Sequence, residues 1–313
     1  MNKEKQLVFL CGSLRSGTTV LGLMFRYHPI INAPGERDFL FDFLNDDLNS
    51  TNKDMLIKQL QKDRLFNSLN LTIRNELTAN ELIRDIVTQT HNEKPITLIN
   101  AHRNFEKILK LFPNSHFIHL LRDPRDVSRS SIGMGWAGNV YYGVDHWIDT
   151  EKSWDMIKTR LNKNKYIECR FEDVIRNTKA ELTRLCDFLE IPFSNKMLDY
   201  PKYTSYSLPN ETLTYQWKRK LSDKEACLVE NKVKQYFGDM RGYQIKCSRS
   251  QRLTLLNKII LFTQNKIYKQ IFAIKRYGIK IYFAEKITRL IKLEVLHKNV
   301  ILKKNEIDKI FLK

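Results

Sequence analysis

The sequence predicts an α/β protein: a central parallel sheet with helices on both faces, followed by a basic helical C-terminal extension. Short apolar segments, Gln6–Cys11, Ile96–Asn100, His116–Leu121 and Tyr166–Arg170, alternate with longer stretches of helical spacing, Asp54–Leu60, Ala79–Thr88, Asn104–Leu111 and Lys179–Leu189. Alternation of this kind is the mark of βαβ crossovers, which cover a parallel sheet on both sides and make a three-layer sandwich. A glycine-framed loop, Gly12–Thr19, follows the first apolar strand and runs straight into a helical pattern. From Ser248 onward the chain changes character. It carries sixteen Lys/Arg against four Asp/Glu there, compared with 37 against 31 over residues 1–247. Most of the net charge of +18 therefore sits in the tail, and the asymmetry divides the 313 residues into 1–247 and 248–313.

The loop is the most informative segment. Gly12 and Gly17 stand five apart with Thr18 and Thr19 directly after, which is P-loop spacing, but Thr18 occupies the position of the lysine. Backbone N–H groups at such a helix start still cradle an anionic oxygen cluster. The cation that spans the β and γ phosphates of a nucleoside triphosphate is missing. Arg15 offers a forked cation from within the loop instead. The pattern suits a phosphate-like group other than a triphosphate.

The other strand ends are polar and mostly basic: Asn100–Arg103, Arg122–Arg125 and Arg170–Asp173. Ligands of open parallel sheets gather at the carboxyl ends of strands. After the third apolar strand comes Arg122-Asp-Pro-Arg-Asp-Val-Ser-Arg-Ser130. An Arg past the strand and a Ser within the next helix can grip one phosphate from two sides. Glu172 and Asp173 read as helix-capping or Arg-ordering carboxylates, and Trp147 and Trp154 as helix core.

Together these motifs resemble the nucleotide site of PAPS-dependent sulfotransferases, in the branch with bacterial, carbohydrate and tyrosylprotein members. Arg15, Ser16, Gly17, Thr18 and Thr19 match that family's 5′-phosphosulfate loop, and Arg122 with Ser130 its 3′-phosphate motif. His28-Pro29, Leu111-Phe112-Pro113, Arg170-Phe-Glu-Asp173 and Gln216-Trp217-Lys218 agree further, so the likeness spans roughly residues 6–245. The resemblance implies a P-loop-like sandwich and the donor 3′-phosphoadenosine 5′-phosphosulfate (PAPS), bound without a metal. It also implies an acceptor hydroxyl, with a carbohydrate or glycolipid preferred. A sulfuryl group is less negative than a phosphoryl group, so loop amides and Arg15 can carry the charge without Mg²⁺.

The base is open between two residues. Glu36, in Ala33-Pro-Gly-Glu-Arg37, stands where tyrosylprotein and related bacterial members carry a Gly-Glu base. His102 lies where cytosolic members carry a His base. Asn100 replaces a Lys that many members place near the bridging oxygen, leaving Arg103, Arg37 or Arg15 to compensate. Phe171 sits at an adenine-contacting Tyr position, and Trp217 and Lys218 match the segment that closes over the nucleotide.

An apolar share of 42% with 11% aromatics argues against disorder. The five cysteines, an odd count without C-x-x-C spacing, read as residents of a reducing compartment. Leu7–Cys11 is too short for a signal-peptide core, and no window of about 18 apolar residues is present. A cytoplasmic location is expected. Basic amphipathic helices in the tail would allow peripheral contact with the inner membrane face, and nucleic acid is not the expected partner. Two further readings share these features: a kinase-like P-loop enzyme, and a non-catalytic basic surface binder with a decayed sulfotransferase site.

Overall fold

A computed structural model describes residues 6–247, 253–291 and 293–311. Five strands form one sheet: β1 (Gln6–Cys11), β2 (Ile31–Glu36), β3 (Ile96–Ala101), β4 (His116–Leu121) and β5 (Tyr166–Arg170). The order is β2-β3-β1-β4-β5, and every pair is parallel. In the first half of the chain lie α1 (Thr18–Arg26), α2 (Lys53–Lys62), α3 (Ala79–Gln89), α4 (Phe105–Leu111) and α5 (Pro124–Gly133). They are followed by α6 (Asp145–Lys158), α7 (Phe171–Arg176), α8 (Thr178–Phe188) and α9 (Asp223–Phe237). The last three are α10 (Leu255–Tyr277), α11 (Ile279–Leu290) and α12 (Glu294–Phe311).

Side-chain alternation along β1 produces the layers. Val8 and Leu10 point to one face, where Leu21, Met24 and Phe25 of α1 and Leu182 and Leu185 of α8 cover them. Phe9 points to the other face and meets Leu56, Leu82, Ile86, Phe105, Ile108 and Trp154. Sequence signals set the helix starts. Thr78 and Glu81 form a capping box ahead of α3, and Ser222 and Glu225 form another ahead of α9.

β2 was not expected as a strand. Ile-Asn-Ala-Pro-Gly-Glu contains Pro34 and Gly35, which read as a turn, and Pro is tolerated only because β2 lies at the sheet edge. Its register with β3 shifts between Asn32 and Gly35, and Gly35 has φ +92°. This bulge aims Glu36 from the end of the strand.

Contacts group the chain into two units: residues up to Asp123 with His146–Gln216, and Pro124–Asp145 with Trp217 onward. The charge-based division at 247/248 differs from this grouping, and residues 248–252 themselves lie outside the described residues. Within the second unit, Asn139 Nδ2 donates to the Leu261 carbonyl at 2.7 Å and Gly138 N to Asn265 Oδ1 at 2.7 Å. Buried Arg125 pairs with Glu230 at 2.6 Å. Such long-range bonds tie Pro124–Asp145 to the C-terminal helices.

The cysteine reading needs correction. Cys227 and Cys247 form a disulfide across 20 residues, with Cα atoms 5.6 Å apart, while Cys11, Cys169 and Cys186 are buried thiols. Spacing motifs do not reveal a pair closed by tertiary structure, and an odd count no longer argues for a reducing compartment. Among the described residues, no helix is long and apolar enough to cross a membrane.

Candidate active site

The strand order sets Glu36 (end of β2), His102 (after β3), the Gly12–Thr19 loop (after β1) and Arg122 (after β4) side by side along the carboxyl edge of the first unit. The loop is held by its carbonyls. His102 Nδ1 donates to the Gly12 carbonyl at 2.7 Å, His146 Nε2 contacts the Leu14 carbonyl at 3.2 Å, and an Arg122 Nη donates to the Arg15 carbonyl at 3.0 Å. Ser16, fully buried, donates through its hydroxyl to the Ser13 carbonyl at 2.6 Å. With carbonyls drawn outward, the chain enters α1 through Arg15 at φ +70° and Gly17 at φ +100°, both left-handed. No side chain caps α1. This is the backbone of an anion-binding nest at a helix N-terminus.

Two glycines are required for close approach. A Cβ at Gly12 would sit 2.7 Å from the Leu120 carbonyl, and one at Gly17 would sit 2.3 Å from the Phe171 ring. Phe171 packs beneath the loop and carries Arg122 on its face, the guanidinium carbon 4.2 Å from the ring centroid. Arg122 also donates to the Leu213 carbonyl at 2.9 Å. Glu172, buried, accepts from Asp123 N at 3.1 Å.

The two candidate bases meet. His102 Nε2 lies 3.2 Å from Glu36 Oε1, and their side chains are 3% and 48% exposed. When His102 is protonated the contact is an ion pair, without the alignment of a hydrogen bond. The Gly12 carbonyl fixes Nδ1 as the protonated nitrogen, so Nε2 faces the carboxylate. His102 lowers the Glu36 pKa below its ordinary value, against the opposing effect of burial. Burial works against the imidazolium of His102, but the Glu36 contact and the Asp38 charge prevail and raise its pKa. Asp38, raised by burial, accepts from His102 N at 2.9 Å, and Thr150 donates to the His102 carbonyl at 2.9 Å.

The candidates for replacing the missing lysine now separate. Arg103 bonds to Asp38 at 3.1 Å and forks onto Asp42, so its charge is already matched. Arg37 instead lines a cleft of about 250 Å³ together with Glu36, Arg26, Asn100, Thr19, Gly22 and Leu69. Its pKa is lowered by burial and by the neighbouring Arg26 charge. Asn100 is buried against Gly22, donates to the Thr18 carbonyl at 3.3 Å and leaves Oδ1 without a hydrogen bond. Sequence reasoning missed Asp38 and Thr150, which hold the His102 backbone, and Asp42, which pairs with Arg103. Their only signal is tertiary.

Ser130, Trp217 and Lys218 belong to the second unit. Ser130 lies on α5. Trp217 N donates to Asp126 Oδ1 at 2.7 Å, its ring stacks on Arg125 at 3.7 Å, and Lys218 is exposed. Among the described residues, no group of three or more His, Cys, Asp or Glu is placed to hold a metal.

Residues 7–195 match the model of the Sulfotransferase family. The chain belongs to that family. A putative protein-tyrosine sulfotransferase of Caenorhabditis briggsae is 25% identical over 205 residues, covering 64% of this chain and 71% of the relative. The omega-hydroxy-beta-dihydromenaquinone-9 sulfotransferase Stf3 of Mycobacterium bovis is 27% identical over 111 residues, covering 31% of this chain and 29% of the relative. The chain spans only 27% of an uncharacterized Aquifex aeolicus protein that is 24% identical over 216 residues. The solved sulfotransferase domain of the curacin biosynthetic pathway shares the fold, with TM-score 0.55 and 19% identity over 77% of this chain and 99% of that domain.

Proposed function

We propose that the protein transfers a sulfuryl group from PAPS to an acceptor hydroxyl. One observation carries this reading: a P-loop-like nest without its lysine stands beside a carboxylate–imidazole pair that touches the same loop. The nest and its glycines fit a compact anionic group, and the donor supplies an activated sulfuryl group on a phosphate leaving group. Loop amides from Ser16 to Thr19 and the Arg15 guanidinium hold the phosphosulfate end. Arg122 and Ser130 take the 3′-phosphate, and Phe171, Trp217 and Lys218 serve the nucleotide. These last assignments rest on the resemblance.

The acceptor enters the cleft at Glu36. Glu36, kept ionised by His102, accepts the hydroxyl proton while the oxygen attacks sulfur. His102 holds that carboxylate in place and is the positioning partner rather than a second base. The bond from sulfur to the bridging oxygen breaks and PAP leaves with its electron pair, and Arg37, partly buried beside Glu36, offsets the negative charge that grows on that oxygen. The acceptor class is a carbohydrate or glycolipid hydroxyl, and two relatives, a protein-tyrosine sulfotransferase and an omega-hydroxy-beta-dihydromenaquinone-9 sulfotransferase, support hydroxyl acceptors in general. A kinase-like reading is disfavoured by Thr18, and a decayed site by the intact Glu36–His102 geometry.

The test is transfer of radiolabelled sulfate from PAPS to a panel of cell-envelope glycans and lipids, with Glu36→Gln in parallel. Labelled product from the native protein and none from the variant is the expected result. Stabilisation by ATP–Mg exceeding that by the desulfated product PAP would overturn the reading.

A further inference from the structure

Among the described residues, the C-terminal helices leave a large apolar surface uncovered. α10 turns Leu261, Asn265, Tyr268 and Phe272 toward the 132–139 segment of its own unit: Asn139 bonds to Leu261, Gly138 to Asn265, and the Phe272 ring lies against Gly135. At 3.6 residues per turn, Leu256, Ile259 and Ile267 fall on the opposite side with Ile260 and Ile271 on its flank, and all five are exposed. α11 repeats the arrangement. Ile279, Phe283, Ile287 and Leu290, one stripe at helical spacing, are 59%, 50%, 53% and 82% exposed. Single exposed apolar residues are ordinary, but contiguous stripes on adjacent helices mark an interaction surface.

The charges on these helices say what covers it. Residues 253–311 hold thirteen Lys/Arg against four Asp/Glu. Two of the four acids are already matched internally: Glu285 pairs with Arg289 and Lys304, and Asp308 pairs with Arg276 and accepts from the Tyr277 hydroxyl. Lys258, Lys266 and Lys269 of α10 and Lys280 and Lys286 of α11 are exposed beside the apolar stripes. The excess of positive charge favours an anionic partner. A second copy would bring the same positive excess face to face, so charge opposes self-association. A nucleic acid would match the lysines but give the isoleucine and phenylalanine stripes nothing to bury. An anionic lipid surface satisfies both, with headgroup phosphates for the cations and acyl chains for the stripes.

We propose that α10 and α11 dock on an anionic bilayer surface, apolar stripes inward and lysines at the headgroups. The test is co-sedimentation of the full chain with vesicles of phosphatidylglycerol and phosphatidylcholine, and with phosphatidylcholine alone. At least tenfold more binding to the anionic vesicles is expected, weakened by high salt. The double variant Phe283→Asp/Ile287→Asp should lose at least tenfold in binding. A thermal melt shows whether it is folded, and Lys280→Gln/Lys286→Gln, which leaves the apolar stripe intact, should weaken binding separately. Equal binding to both vesicle types, or unchanged binding by both variants, overturns the proposal. So does a concentration-dependent dimer that Phe283→Asp/Ile287→Asp dissolves without any vesicle binding, which would assign the surface to a second copy. RNA binding that exceeds vesicle binding and ignores the apolar substitutions would assign it to nucleic acid.

Discussion

Glu36 and His102 set one another's charge, and that coupling has measurable consequences. Glu36→Gln removes the proposed proton acceptor and should lower kcat on the order of 10²–10⁴-fold while leaving PAP affinity unchanged, read by steady-state kinetics and calorimetry. His102→Ala removes the main cause of the lowered Glu36 pKa, so the acid limb of the rate profile should move to higher pH. An unmoved limb would show that His102 does not act on Glu36. Stability follows the same pair. The Glu36 pKa is lowered from 4.5, so its contribution is complete above pH 4.5 and fades as pH falls through the lowered folded value. The His102 pKa is raised from 6.5, so its contribution is complete below pH 6.5 and fades as pH rises through the raised folded value. Denaturation midpoints of the native protein and Glu36→Gln should therefore differ most between pH 4.5 and 6.5, and converge above. A constant gap across pH 4–9 would contradict the coupling.

At the scale of the elements, the nest depends on glycine. Gly17→Ala places a Cβ in a left-handed position and into the Phe171 ring, and should cost about 1–3 kcal/mol of stability and abolish PAP binding. Phe171→Ala should cost less on that background than alone, because it removes the ring that the new Cβ strikes, as thermal melts would register. Three of the four apolar segments coincide with strands, and the fourth, Ile96–Asn100, extends one residue to Ala101. Continuous apolar runs of that length announce buried parallel strands. β2 was hidden because Pro34 and Gly35, at its register shift, carry no strand signal. The same bulge that concealed the strand delivers Glu36. The loop was legible because its spacing is local. The Asp38–His102–Thr150 bonds were not, because they join residues far apart in sequence. Asn100, read as a lost lysine, proves to be a buried partner of α1.

At the scale of the whole molecule, charge asymmetry located the change of character near residue 248 but not the grouping of contacts. Arg125–Glu230 and Asn139–Leu261 draw Pro124–Asp145 into the unit of the C-terminal helices. The Cys227–Cys247 bond lies within that unit. Closing a loop of 20 residues is worth about 3 kcal/mol through the unfolded chain, so Cys227→Ser/Cys247→Ser should lower stability by that order, read by chemical denaturation with and without reductant. A reductant-insensitive native protein would argue that the two thiols do not bond. The proposed chemistry depends on the lysine-less nest holding one end of a sulfated nucleotide. Calorimetric titration of PAP into the full chain tests this most directly, with Gly17→Ala and Arg15→Ala alongside. Saturable one-to-one binding, lost in the first variant and weakened at least tenfold in the second, is the expected result. No PAP binding by the native protein, or binding indifferent to both substitutions, would contradict it.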